Sequence, residues 1–105
     1  MTPSPKEQIL EMLKAEPDDS FLNYALALEL AKENNLNHAI KLVESLLAKD
    51  ENYLGAYYQL GKWYEQQNHI EKAIEIYTKG ISIAINQKNR KAQGELNEAK
   101  MMLED

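Results

Sequence analysis

Residues 57–77 read YYQLGKWYEQQNHIEKAIEIY, and they repeat an earlier stretch at a spacing of 34 residues. The matched positions carry the same residue or one of similar size: Tyr24 and Tyr58, Leu26-Ala27 and Leu60-Gly61, Asn34 and Asn68, Ala39-Ile40 and Ala73-Ile74. A period of this length is typical of helix–turn–helix units that stack and bury their apolar faces against one another. The pattern predicts an all-α helical-repeat protein.

The second copy contains Tyr57-x-x-Leu60-Gly61-x-x-Tyr64, followed by Ala73-x-x-x-Tyr77. This resembles the tetratricopeptide repeat family, whose pattern is W-x-x-L-G-x-x-Y, then A-x-x-x-F and a proline. The first copy has Asn23 where an aromatic residue is usual. Ile85 stands where a proline is usual, so we expect that helix to continue past the usual break. The resemblance covers residues 20–87 and implies a right-handed solenoid like that of small bacterial tetratricopeptide proteins.

We expect residues 1–105 to form one domain of about six antiparallel helices. Residues 1–17 are interpreted as an N-terminal capping half-repeat, because Ser4-Pro5-Lys6-Glu7 is a capping box and Pro17 ends the apolar stripe behind it. Repeat 1 spans 20–53, with helices at 20–33 and 37–49. Repeat 2 spans 54–87, with helices at 54–67 and 70–86. Residues 88–105 are a C-terminal capping helix.

Small residues are predicted where paired helices approach closely. A glycine inside a helix costs about 0.5–1 kcal/mol relative to alanine, so Gly61 and Gly80 indicate a steric requirement. The alanines at 27, 39 and 73 fit the same interpretation. Bulky residues, Tyr77 among them, are expected to fill the space between these close contacts. Trp63 is expected to be a packing residue between neighbouring repeats, not a platform for a ligand.

Composition excludes several classes of function. The 105 residues include no cysteine, which rules out disulfides and thiolate metal sites. The formal net charge is −5 with a single arginine, which argues against nucleic acid as a partner. No segment is apolar enough for a signal peptide or a membrane span, so neither a membrane association nor a location outside the cytoplasm is expected.

The chain also lacks a recognisable catalytic arrangement. His38 and His69 are the only histidines, and both lie at or near predicted turns with no converging nucleophile. No glycine-rich phosphate loop and no zinc-protease motif occurs. We therefore expect no enzyme activity, no cofactor and no metal.

The family resemblance implies a concave groove lined by the first helix of each pair. The groove positions that we predict to bind a partner are Phe21, Tyr24, Leu28, Lys32, Tyr58, Lys62, Glu65 and Gln66. By the same resemblance Ala31 and Gly55 are further groove positions, to which the last helix adds Asn89 and Gln93. Such a surface suits an apolar peptide or helix carrying an acidic group for Lys62. In the alternative interpretation Phe21, Tyr24 and Leu28 are core residues covered by the first helix.

Two functions remain open at this point. One is an adaptor that binds a peptide or protein segment in the groove. The other is a homo-oligomerisation module that uses the apolar groove or the C-terminal Met101-Met102-Leu103. The carboxylate clamp of chaperone-binding members is not expected, because the corresponding positions are Tyr24, Leu28, Gln59, Asn89 and Gln93.

Overall fold

The computed structural model describes residues 2–104; Met1 and Asp105, the two ends of the predicted domain, lie outside the described residues. Within that range the chain forms six α-helices and no strand. They are α1 (Pro5–Ala15), α2 (Ser20–Lys32), α3 (Leu36–Lys49), α4 (Gly55–Gln66), α5 (Ile70–Asn86) and α6 (Arg90–Leu103). The predicted all-α helical-repeat fold is confirmed, and α5 does continue through Ile85.

The helices fall into two compact units that divide between Asp50 and Glu51. In the first unit α2 packs against both α1 and α3. In the second unit α5 packs against both α4 and α6. The core of the first unit includes Ala27, Leu30 and Val43, whereas that of the second is rich in aromatic residues, among them Tyr57, Trp63 and Tyr77. Trp63 is buried, as predicted.

The same turn ends α2, α4 and α5. A left-handed residue follows each helix: Asn34 at φ 63°, Asn68 at φ 61° and Lys88 at φ 57°. In all three turns the next amide donates a 2.9 Å hydrogen bond to the carbonyl oxygen five residues earlier, as from Asn35 to Leu30. This is the Schellman arrangement, which satisfies carbonyl groups that the helix end leaves without partners. Asparagine tolerates the left-handed conformation, but Lys88 adopts it at a cost of about 1 kcal/mol.

Helix α1 begins with the capping box that the sequence predicted. The Ser4 hydroxyl accepts from the Glu7 amide at 3.1 Å, and the Glu7 carboxylate accepts from the Ser4 amide at 3.1 Å. The pKa of the Glu7 carboxyl is lowered from its usual value, most strongly by the bond from the Ser4 amide and then by the Ser4 side chain. No residue of α1 is fully buried, and Leu10 and Met12 are exposed, so the apolar stripe of this helix is only partly covered.

A hydrogen bond from a helix side chain to a backbone carbonyl in the preceding loop occurs at equivalent positions before α2 and α4, with different side chains as donors. The side-chain amide of Asn23, on α2, donates to the Pro17 carbonyl in the loop before that helix at 3.0 Å. The hydroxyl of Tyr57, on α4, donates to the Glu51 carbonyl in the loop before that helix at 2.6 Å. Asn23 and Tyr57 are 34 residues apart, and so are Pro17 and Glu51. Asn23 therefore differs from the aromatic residue of the family pattern but makes the equivalent hydrogen bond to the loop.

Two glycines allow the helices of the second unit to pack closely. A β-carbon on Gly61 would lie 2.6 Å from Cζ of Tyr77, on the neighbouring helix. A β-carbon on Gly80 would lie 2.7 Å from Cβ of Tyr57 and 3.1 Å from Cδ1 of Leu96. Real β-carbons essentially never approach below 3.0 Å, so a larger residue at either position would force its neighbours to shift. The predicted close approach is confirmed at these two sites.

We expect Gly61→Ala to destabilise the chain by about 1–3 kcal/mol, because the added methyl must displace the Tyr77 ring. Gly94→Ala is the matched control, since a β-carbon there meets nothing within 4 Å. That change should stabilise α6 by about 0.5–1 kcal/mol. Urea denaturation midpoints measure both effects. Equal shifts of the same sign would show that Gly61 does not face a packed ring.

Candidate functional site

The predicted groove residues of the first unit lie on α2 with different degrees of exposure. Phe21 is 67% exposed at the start of the helix. The alternative interpretation, in which α1 covers Phe21, is therefore wrong for that residue. Tyr24 and Leu28 are half-buried. Lys32 is exposed at the end of the helix, and its ammonium lies 3.4 Å from the Glu29 carboxylate.

The predicted groove residues of the second unit lie together on α4. The Tyr58 ring is 40% exposed, and the Lys62 ammonium lies 5.3 Å from its centroid. The same ammonium is 3.6 Å from Oε2 of Glu65. Gln66 is exposed at the last position of the helix. Three of the four predicted residues thus form one contiguous cluster, and the charge of Lys62 is already partly compensated within it.

Tyr77 of α5 lies beneath this cluster and was predicted only as a bulky packing residue. Its side chain is fully buried, and its hydroxyl donates a hydrogen bond to the Glu65 carboxylate. Its ring centroid is 6.2 Å from that of Tyr58. Burial, followed by the hydrogen bond to Glu65 and that carboxylate's charge, raises the pKa of Tyr77 far above its usual range. The sequence signal for this link is a tyrosine where the family pattern has phenylalanine.

A pocket of about 180 Å³ lies in the second unit between the beginning of α4 and α6. Sequence reasoning placed Gly55 and Tyr58 on α4 and Asn89 before α6 among the groove positions, and all three line the pocket. It did not identify the rest of the lining, which is Leu54, Ala92, Glu95 and Leu96. Gln93, which was also considered, is not part of the lining.

The remaining features of the described residues do not indicate a second binding site. The first unit has a cavity of about 50 Å³ beside Pro17 and Leu46, at which the Lys49 ammonium pairs with Asp18 at 2.8 Å. Residues 2–104 contain no cluster of acidic or histidine side chains able to hold a metal ion. Both histidines are exposed. None of the helices in the described part of the chain is both long and apolar enough to cross a membrane.

Comparison with solved structures shows which proteins this chain is similar to. The solution structure of a tetratricopeptide repeat domain protein from Salinibacter ruber is 40% identical, with a TM-score of 0.81 over 85% of this chain and 90% of that one. A crystal structure under the same description and organism gives 41% identity and a TM-score of 0.76 over 82% and 96%.

A more distant solution structure, of a protein from Bordetella parapertussis, shares the fold at 22% identity, with a TM-score of 0.83 over 97% of this chain and 89% of that one. No family model matches the chain, and the curated proteins gave no match.

The buried Tyr77 hydroxyl should make stability fall at high pH. Unfolded tyrosine loses its proton near pH 10, whereas folded Tyr77 retains it because its pKa is raised. Its contribution is therefore complete below about pH 10 and is lost above that, by up to about 1.4 kcal/mol per pH unit. Tyr77→Phe should be about 1.5–3 kcal/mol less stable at neutral pH but should decline less steeply above pH 10. Urea titrations across this range test it, and parallel curves would contradict it.

Proposed function

Because the chain belongs to the tetratricopeptide repeat family, we propose that it is an adaptor that binds a peptide or protein segment through α2 and α4. Domains with this fold generally serve as protein-interaction modules, and their function lies on the surface that stacking creates. The proposal assigns contact to the surface residues described above: Phe21, Tyr24, Leu28, Lys32, Tyr58, Lys62, Glu65 and Gln66.

The observation that carries this proposal is that the first helix of each repeat exposes a large aromatic side chain. Phe21 is 67% exposed on α2, and Tyr58 is 40% exposed on α4. Aromatic side chains supply much contact area for few rotatable bonds, which is why they are frequent anchors in interfaces.

The surroundings of Tyr58 favour it as an anchor. Its ring has the Lys62 ammonium over it and the buried Tyr77 ring 6.2 Å away. A side chain already held by such contacts loses little further freedom when a partner binds. Lys62 and Glu65 then supply a charged rim that sets the orientation of the bound segment.

The proposal includes no catalytic role, no cofactor and no nucleic-acid ligand. The net charge of −5 disfavours a phosphate backbone and favours a partner that is neutral or basic. A single contact between Lys62 and an acidic group of the partner is compatible with this charge balance.

Panning a phage-displayed random peptide library against the immobilised chain should yield binders. For a selected peptide, Tyr58→Ala and Leu28→Ala should each weaken affinity about tenfold, or 1.4 kcal/mol, because each removes apolar contact area. Ile85→Ala is the matched control: this α5 residue is 52% exposed, and its loss should leave affinity unchanged. Calorimetric titration measures the affinities, and thermal melting checks folding. Failure to select any binder, or an effect confined to Ile85, would overturn the proposal.

The second candidate function is homo-oligomerisation through the end of α6. Met101 is 70% exposed and Met102 is 75% exposed, a pair of apolar side chains that solvated surfaces seldom carry together. Light scattering coupled to size exclusion should then find a dimer that dissociates in Met101→Glu/Met102→Glu. A monomer at all concentrations would exclude this candidate.

A further inference from the structure

We propose that the pocket between α4 and α6 binds one bulky apolar side chain of the partner segment, flanked by a lysine or arginine that pairs with Glu95. This assignment rests on the proposed function and names the ligand chemistry of one part of that surface. It gives the partner a positive group at the pocket, in addition to any acidic group that contacts Lys62.

The interior of the pocket suits an apolar group. Leu96 is 2% exposed and forms a packed floor, while Leu54 and Ala92 are half-buried beside it. The partly exposed Tyr58 ring completes the apolar lining. Apolar pockets with a few polar groups at the edge are the usual form of ligand sites, and about 180 Å³ accommodates a single large side chain.

Gly55 lines the pocket without contributing a side chain to it. A β-carbon on Gly55 would meet nothing within 4 Å, unlike one on Gly61 or Gly80. No packing requirement therefore explains a glycine at the first position of α4. A larger side chain there would occupy the open space that a ligand must enter.

The polar part of the lining indicates a basic partner. Glu95 is its only charged residue, and within residues 2–104 it forms no ion pair. The chain as a whole carries −5, which adds to the attraction for a cation. The Oδ1 atom of Asn89 accepts a hydrogen bond from the Ala92 amide at 3.0 Å, so the NH₂ group of the same side chain can donate to a peptide carbonyl.

The probes are acetylated and amidated tripeptides: Lys-Phe-Lys, Gly-Phe-Gly, Glu-Phe-Glu and Lys-Ala-Lys. Titrated into the isotope-labelled full chain, Lys-Phe-Lys should shift the amide resonances of Gly55, Ala92 and Leu96. Glu-Phe-Glu and Lys-Ala-Lys should bind at least about tenfold more weakly. Glu95→Gln should reduce the preference for Lys-Phe-Lys over Gly-Phe-Gly by about two- to fivefold.

Gly55→Leu should weaken Lys-Phe-Lys binding about tenfold without lowering the melting temperature, because it adds a side chain to the pocket lining and its β-carbon would meet nothing within 4 Å. Gly94→Leu is the matched control, an equally open α6 glycine outside the lining, and should bind like wild type. Equal affinities of the two variants, or tighter binding of Glu-Phe-Glu, would overturn the pocket assignment.

The library-selected peptides separate the two proposals. If they still lose affinity with Tyr58→Ala and Leu28→Ala, while Gly55→Leu leaves the tripeptides unaffected, the pocket assignment is wrong and the adaptor function stands. If no displayed peptide binds, both proposals fail.

Discussion

The packing of the second unit depends on the contact between Gly61 of α4 and the aromatic ring of Tyr77 on α5. Gly61 leaves the space that the buried Tyr77 ring occupies, which brings α4 and α5 close together. From that position the Tyr77 hydroxyl reaches the Glu65 carboxylate and its ring meets Tyr58. The exposed cluster on α4 therefore takes its geometry from the core beneath it, so a packing change would also alter the surface.

Much of the fold follows from local signals. Asparagine at 34 and 68 is compatible with the left-handed turns that end α2 and α4, and the glycines at 61 and 80 indicate close contact. The third such turn could not be predicted from the residue type, because Lys88 is a poor left-handed residue. Lys88 connects α5 to α6, which pack against each other, and strained residues persist where the surrounding structure fixes the backbone.

The candidate surface was less accessible to sequence reasoning. The sequence does not show whether an apolar residue at the start of a helix is exposed or buried. The exposure of Phe21 could therefore not be predicted without knowing its neighbours in space. Tyr58, Lys62 and Glu65 were identified because the family resemblance places groove positions on the first helix of each pair, whereas the hydrogen bond from Tyr77 to Glu65 joins two helices. Glu95 was not predicted, because no motif marks it. It lines the same pocket as Tyr58 only through the packing of α6 in the second unit.

The paired bonds of Asn23 and Tyr57 have a consequence for how repeats diverge. What the two copies share is a side-chain donor that reaches a backbone carbonyl in the loop before its own helix, and an amide serves that purpose as well as a phenol. Selection on such a position acts on reach and hydrogen-bonding capacity, so residue identity can drift while the geometry persists. A profile that scores the aromatic residue penalises Asn23 even though its contact is intact, which is in keeping with a chain that matches no family model yet superposes closely on solved members.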